Sequence, residues 1–188
     1  MKLLLHSCCA PCSVQCVKTL LEDGIKPDLY WYNPNIHPFT EYRSRRDALE
    51  AFARDHELSL NMEDEYGLRP FLREVVSMDE DFADHDQTVK RRCAYCYRLR
   101  LEKTASVAAE RGYEAFSTTL LISPYQNHEL LKETGYEFAA KYDVSFLYRD
   151  FRPFFRDGRN QAKALGYYMQ KYCGCIFSEE ERYSGAGK

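Results

Sequence analysis

Three cysteines close a run of leucines at the start of this chain, and that junction narrows the folds open to it: Met1-Lys2-Leu3-Leu4-Leu5-His6-Ser7-Cys8-Cys9-Ala10-Pro11-Cys12. Leu3, Leu4 and Leu5 read as the core of a fully buried strand, too short for a helix and bounded by Pro11. From Ser13 to Leu21, Val14, Val17, Leu20 and Leu21 recur at helical spacing, and the pattern stops before Gly24. In an open α/β sheet, ligands bind where the chain leaves the carboxyl end of a strand and enters a helix. Phosphate-binding versions of that loop use glycine so that backbone N–H groups can approach the anion. No glycine occurs here between Met1 and Asp23, and the loop is made of thiols. It is suited to metal.

The rest of the pattern alternates in the same way. Strands are expected at Leu29 to Tyr32, Ser59 to Met62, Phe116 to Ile122 and Val144 to Tyr148, with helices over Thr40 to His56, Gly67 to Val76, Leu99 to Gly112, Glu129 to Tyr142 and Asn160 to Lys171. Five strands alternating with helices predict an α/β three-layer sandwich with a mainly parallel five-stranded sheet and right-handed crossovers. Its 188 residues suit a single domain, 1–188, with about 179–188 as a frayed tail. Met78 to Asp86 reads as an exposed acidic loop.

A net charge of -3 and a pI near 6.0 exclude indiscriminate binding to polyanions, so contact with nucleic acid needs a local patch. Arg43, Arg45, Arg46, Lys90, Arg91, Arg92, Arg98 and Arg100 are the candidate phosphate contacts. The apolar start is too short for a signal peptide, and no segment approaches the ~20 apolar residues of a membrane span. The expectation is a cytoplasmic protein with no membrane partner, where thiols stay reduced and cysteine clusters bind metal or do redox chemistry.

Seven of the eight cysteines fall in three clusters, Cys8/Cys9/Cys12, Cys93/Cys96 and Cys173/Cys175, all beside predicted loops. Cys16, among apolar neighbours, reads as a buried free thiol. Seven thiolates brought together need positive charge to offset their repulsion, which a polynuclear metal centre supplies. Cys93-Ala94-Tyr95-Cys96 reads as a CxxC at a helix start, where the dipole and the flanking cations lower thiol pKa. A zinc site would take four of the seven sulfurs, a [4Fe–4S] cluster four or three, and a thiol–disulfide catalyst only the CxxC.

Several motifs in fixed order now carry a resemblance. His6-x-Cys8-Cys9-Ala10-Pro11, Tyr32-Asn33-Pro34-Asn35-Ile36, Arg92-Cys93-x-x-Cys96-Tyr97, Ser117-Thr118-Thr119-Leu120 with Ser123-Pro124-Tyr125-Gln126, Asp150-Phe151-Arg152 and Tyr172-Cys173-Gly174-Cys175 are similar to those of the cobalamin-independent epoxyqueuosine reductases. The resemblance spans residues 3 to 178. It implies a fold like that of the PP-loop (adenine nucleotide alpha hydrolase-like) proteins, with cysteines in place of the phosphate loop, and a [4Fe–4S] cluster beside a mononuclear iron, without cobalamin. The implied reaction removes the epoxide oxygen of epoxyqueuosine at the wobble position of tRNA, the last step to queuosine, with electrons from a ferredoxin- or flavodoxin-like donor. Where family members can carry a carboxylate ligand shortly after the cysteine pair, this chain has Cys12.

On that resemblance, Cys93, Cys96 and one of Cys8 or Cys9 are assigned to the cluster. The other of the pair, Cys12, and Cys173 or Cys175 are assigned to the single iron. Tyr97, His6 and Asp150 are the candidate proton donors, and Asn33, Asn35, Arg45, Arg92, Ser123 and Arg152 the candidate substrate contacts. Two rival readings are a PP-loop-type iron–sulfur tRNA sulfurtransferase, which calls for a phosphate loop after the first strand, and a non-enzymatic zinc-binding adaptor.

Overall fold

Leucines on both faces of a strand fit only a sheet covered on both sides, and that is where the first strand lies. The computed structural model describes the backbone of residues 1–77 and 85–184 and the side chains of 1–77 and 91–184. β1 (Leu3–His6), β2 (Asp28–Trp31), β3 (Leu60–Met62), β4 (Ala115–Thr118) and β5 (Ser145–Phe146) form one sheet in the order β3-β2-β1-β4-β5, with every pairing parallel. His6 lies opposite Tyr30 on one side and Thr118 on the other. Leu3, Leu4 and Leu5 are buried, each contributing roughly 1.5–3 kcal/mol.

α1 (Ala10–Glu22), α2 (Phe39–Asp55) and α6 (Phe155–Ala164) pack together on one face of the sheet, and α4 (His85–Glu110) and α5 (His128–Tyr142) on the other. α3 (Leu68–Ser77) and α7 (Ile176–Ser184) complete the described helices. Pro11 sits in the first turn of α1, where its missing N–H costs nothing. The strand order reverses between β1 and β4, so the loops leaving those two strands diverge and open a crevice at their carboxyl ends. The first cysteines stand there.

Four expectations change. β4 ends at Thr118 rather than Ile122, because the Thr118 side chain accepts a hydrogen bond from Leu120 N and Thr119–Ile122 becomes a 3₁₀ turn. The helix expected at Asn160 to Lys171 is α6, which starts five residues earlier and stops before Gly166, whose φ of +77° suits the residue after a helix end. The segment expected to fray from about 179 is helical as far as Ser184. α4 begins at His85, so the CxxC lies inside a helix rather than at its positive end. The acidic stretch Met78 to Asp86 falls outside the described residues, except for the two that open α4.

Candidate metal centre

β1 delivers His6 to the crevice, and three strand ends meet on its ring. Thr118 Oγ1 lies 2.9 Å from Nδ1, while Tyr32 O and Asn33 Oδ1 each lie 3.2 Å from Nε2. Two acceptors at Nε2 place the proton there, so the Thr118 hydroxyl donates to Nδ1. Burial lowers the pKa of His6 to about 4. The imidazole is neutral, with both nitrogens engaged. Asn33 Nδ2 donates in turn to Ser7 O at 3.0 Å, so Asn33 braces the cysteine loop from its other side.

On that base stand Cys8, Cys9 and Cys12, their sulfurs all within 4.8 Å of one another; among the described residues no other His, Cys, Asp or Glu trio is so closely set. The Cys8 and Cys9 sulfurs are 3.6 Å apart. Hydrogen bonds from Cys12 and Cys9 hold the Cys8 thiol well below its usual pKa, Cys12 is raised by those bonds, and burial raises Cys9. Thr119 Oγ1 reaches the Cys8 sulfur at 3.8 Å and Gln170 Nε2 the Cys12 sulfur at 3.5 Å. Thiolates holding one ion tetrahedrally at ~2.3 Å stand ~3.8 Å apart, so the trio has the spacing of a mononuclear site.

Of the other five thiols, Cys16 is buried in α1 and four form a looser group. Cys93 and Cys96 project from α4, one turn apart, and Cys175 packs with Phe71, Val75 and Cys96 in a small apolar cluster. Burial pushes Cys93 up to about 11, and Cys96 and Cys175 up to about 12, with the charges of neighbouring thiols of this group adding to each shift. This reverses the low thiol pKa expected of a CxxC at a helix start, since mid-helix sulfurs feel burial and not the dipole. Among the described residues no three of these sulfurs close to within 4.8 Å. Wider spacing suits ligands of different irons in one cluster rather than of a single ion.

Two buried guanidinium groups flank both sulfur groups. Arg45, 1% exposed, is paired with Glu41 at 2.6 Å and donates to Cys173 O and Tyr172 O, each at 2.9 Å; its charge also faces Cys9 and Cys8. Arg100, 4% exposed, donates to Cys96 O at 3.0 Å and to the Cys96 sulfur at 3.1 Å, and faces Cys8 and Cys173 as well. Among the described residues Arg100 has no carboxylate partner, and the groups its charge faces are chiefly sulfurs, which a bound metal would hold as thiolates. Seven cysteines with two buried cations form a donor set for a thiolate-bound, electron-rich metal group, and the residues fit one.

The other expected site residues divide. Arg45 and Arg92 are enclosed: Arg92 Nη2 donates to Glu181 Oε1 at 2.9 Å and its guanidinium lies over Phe177, tying α4 to α7. Asn35 is buried with Oδ1 unpaired, and Ser123, at the end of the 3₁₀ turn, accepts from Tyr125 N. Three hydrogen bonds from Arg152, two from its guanidinium and one from its backbone N–H, hold Asp150 down at about 2, so it is an ionised carboxylate near neutrality. Tyr97 is buried beside Cys93, donates to Gln126 Oε1 at 2.8 Å and is kept protonated by burial. Of the phosphate candidates, Arg46 is paired with Asp47 and Asp64, Arg98 forks onto Glu137, and the side chain of Lys90 lies outside the described residues. Sequence reasoning missed Gln170, which lies two residues before the Tyr172-Cys173-Gly174-Cys175 motif but outside it, and it missed Arg100 as a sulfur partner.

Comparison with known proteins gives one family. Residues 3–181 match the family model described as "Epoxyqueuosine reductase QueH". Proteins of that name from Dehalococcoides mccartyi and Thermotoga maritima are 40% and 36% identical to this chain, covering 97% and 95% of it and 94% and 91% of their own lengths. One from Acinetobacter baylyi is 34% identical over 94% of this chain and 80% of its own. Among solved structures, a predicted subunit of tRNA methyltransferase from Methanocaldococcus jannaschii superposes with a TM-score of 0.53 at 13% identity, over 86% of this chain and 76% of that one, which is a likeness of fold.

Proposed function

This chain belongs to the epoxyqueuosine reductase QueH family, and from that membership we propose that its sulfur-lined rim takes the oxygen from the epoxide of epoxyqueuosine in tRNA to give queuosine. The reaction consumes two electrons and two protons and releases water. The observation that carries the reading to this rim is the seven cysteines set around Arg45 and Arg100 at the strand-order reversal.

We assign Cys8, Cys9 and Cys12 to a mononuclear iron, and Cys93, Cys96, Cys173 and Cys175 to a [4Fe–4S] cluster. This repartitions the ligands by spacing. When bound, such a pair supplies single electrons and a Lewis acid for the departing oxygen. The chain itself supplies position and protons. His6 and Asn33 fix the trio's loop, while Arg45 fixes the Cys173-Gly174-Cys175 turn through two carbonyls. Tyr97 is the proton donor we favour: His6 is tied at both nitrogens to the strand ends and Asp150 has no proton, whereas the Tyr97 phenol keeps its proton beside Cys93 and can give it up by leaving its single acceptor, Gln126 Oε1. Asn35, with a buried unpaired oxygen, is the substrate contact we retain from the rim. An external low-potential carrier provides the electrons, and the protein acts in the cytoplasm, where its tRNA substrate is found.

The test is anaerobic iron–sulfur reconstitution, incubation with epoxyqueuosine tRNA and a reductant, and mass analysis of the nucleosides. Loss of one oxygen from the modified base is the expected result. A zinc-only protein, colourless and inactive after reconstitution, would overturn the proposal.

A further inference from the structure

A second basic stretch lies away from α4, whose own run from Gln87 to Leu101 holds five basic side chains and no carboxylate. Residues 149–171 carry six basic side chains against two carboxylates, Asp150 and Asp157, in a protein of net charge -3. No Asp or Glu occurs from Gly158 through Ser178. Arg149 and Arg152 are paired, with Asp23 and Asp150, but among the described residues Arg156, Lys163 and Lys171 reach no carboxylate. The alternative surface on α4 is poorer. Arg92 and Arg100 are buried, Arg98 is spent on Glu137, and exposed Arg91 borders a cavity of about 430 Å³ that it shares with Glu129 and Glu133, whose charges repel phosphate.

Aromatic rings stand among the free cations. Tyr125, in the loop beyond β4, is 83% exposed and meets Phe155 edge-on at 5.9 Å, while Arg159 lies 5.9 Å over the Phe155 ring. Arg156 is exposed on the same turn of α6. The 3₁₀ turn Thr119–Ile122 joins this patch to the thiols: Thr119 faces the Cys8 sulfur, Leu121 O accepts from Phe151 N at 3.2 Å, and Gly158 packs close to Ile122.

We propose that Tyr125, Phe155, Arg156 and Arg159 form the face on which single-stranded RNA docks beside the thiol rim, with a base stacked on Tyr125 and phosphates on the two arginines. Unpaired bases have an open π-face for an exposed ring, and free arginines along the backbone path supply the charge. This rests on the reading of the chain as a reductase of a tRNA base, and it places the strand that flanks that base.

The test is fluorescence anisotropy of a labelled synthetic anticodon stem-loop on the metal-loaded protein across a salt series. The double variant Arg156→Gln, Arg159→Gln should bind more weakly and flatten the slope of log K against log salt by about 1.4, at ~0.7 per phosphate lost. Tyr125→Ala should weaken binding about tenfold with the slope unchanged, and Tyr125→Phe should restore it. Unchanged affinity and slope in these variants, with the loss appearing in Arg91→Gln instead, would overturn the face. Failure of Tyr125→Phe to rescue would overturn the stacking. Wild-type protein that binds RNA here yet leaves the epoxide intact would defeat the reductase reading alone; turnover that these variants leave untouched would defeat this face alone.

Discussion

The two sulfur groups are built by opposite means. Cys8, Cys9 and Cys12 come from one stretch of chain, at the end of a buried strand and the first turn of a helix, and their place is set by a neutral imidazole shared between three strand ends. Cys93, Cys96, Cys173 and Cys175 come from the middle of α4 and from a turn nearly eighty residues later, brought together by side chains. A local site inherits its geometry from the sheet. A distant one needs buried cations to assemble it.

That contrast can be broken most sharply at the ligands. Cys9→Ser should abolish reduction, more than ~100-fold, while keeping most of the cluster's visible absorbance; Cys96→Ser should lose both. Iron and sulfide counts on the two variants check this, and equal loss of absorbance in both would mean one undivided centre. Next comes Arg45→Ala, which strips Glu41 of its buried partner and leaves the Tyr172 and Cys173 carbonyls unbonded. It should destabilise the protein by about 3–5 kcal/mol in urea titration.

Arg100→Gln should lower metal affinity about 10- to 100-fold without that global cost, because it removes a bond to sulfur and the charge between the two groups. Competition with a chelator measures it, and an effect on the trio's iron alone would contradict the placement of Arg100 on Cys96. The smallest change is expected of Gly174→Ala. Gly174 has φ +121°, and an added Cβ would stand 3.0 Å from Ile36 Cγ1 and 3.2 Å from Arg45 Nη1. About 1–3 kcal/mol of backbone strain should lower thermal stability and loosen the Cys173/Cys175 pair while the trio still binds its ion.

Legibility in the sequence runs along the same divide. The first strand, its cysteine loop and the alternation of elements are legible because each depends on neighbours in the chain, such as Leu3 to Leu5 before Cys8. The depth of Cys93 and Cys96 in a helix is not, because α4 opens on the polar run His85-Asp86-Gln87-Thr88 without an apolar stripe to announce it. Arg45, Arg92 and Arg100 look like solvated cations in one dimension. Only the fold shows that their partners are Glu41, Glu181 and a cysteine sulfur. Tyr125 presents the reverse case, an aromatic whose exposure no local pattern foretells.

An imidazole bonded at both ring nitrogens to the ends of β1, β2 and β4 leaves the adjoining thiols little room to travel. An electron passed to a metal held there, as proposed above, would meet a scaffold that stays put, so the nuclear rearrangement accompanying charge transfer would be confined to a few bonds. Speed would then be governed by distance and driving force rather than by motion of the polypeptide.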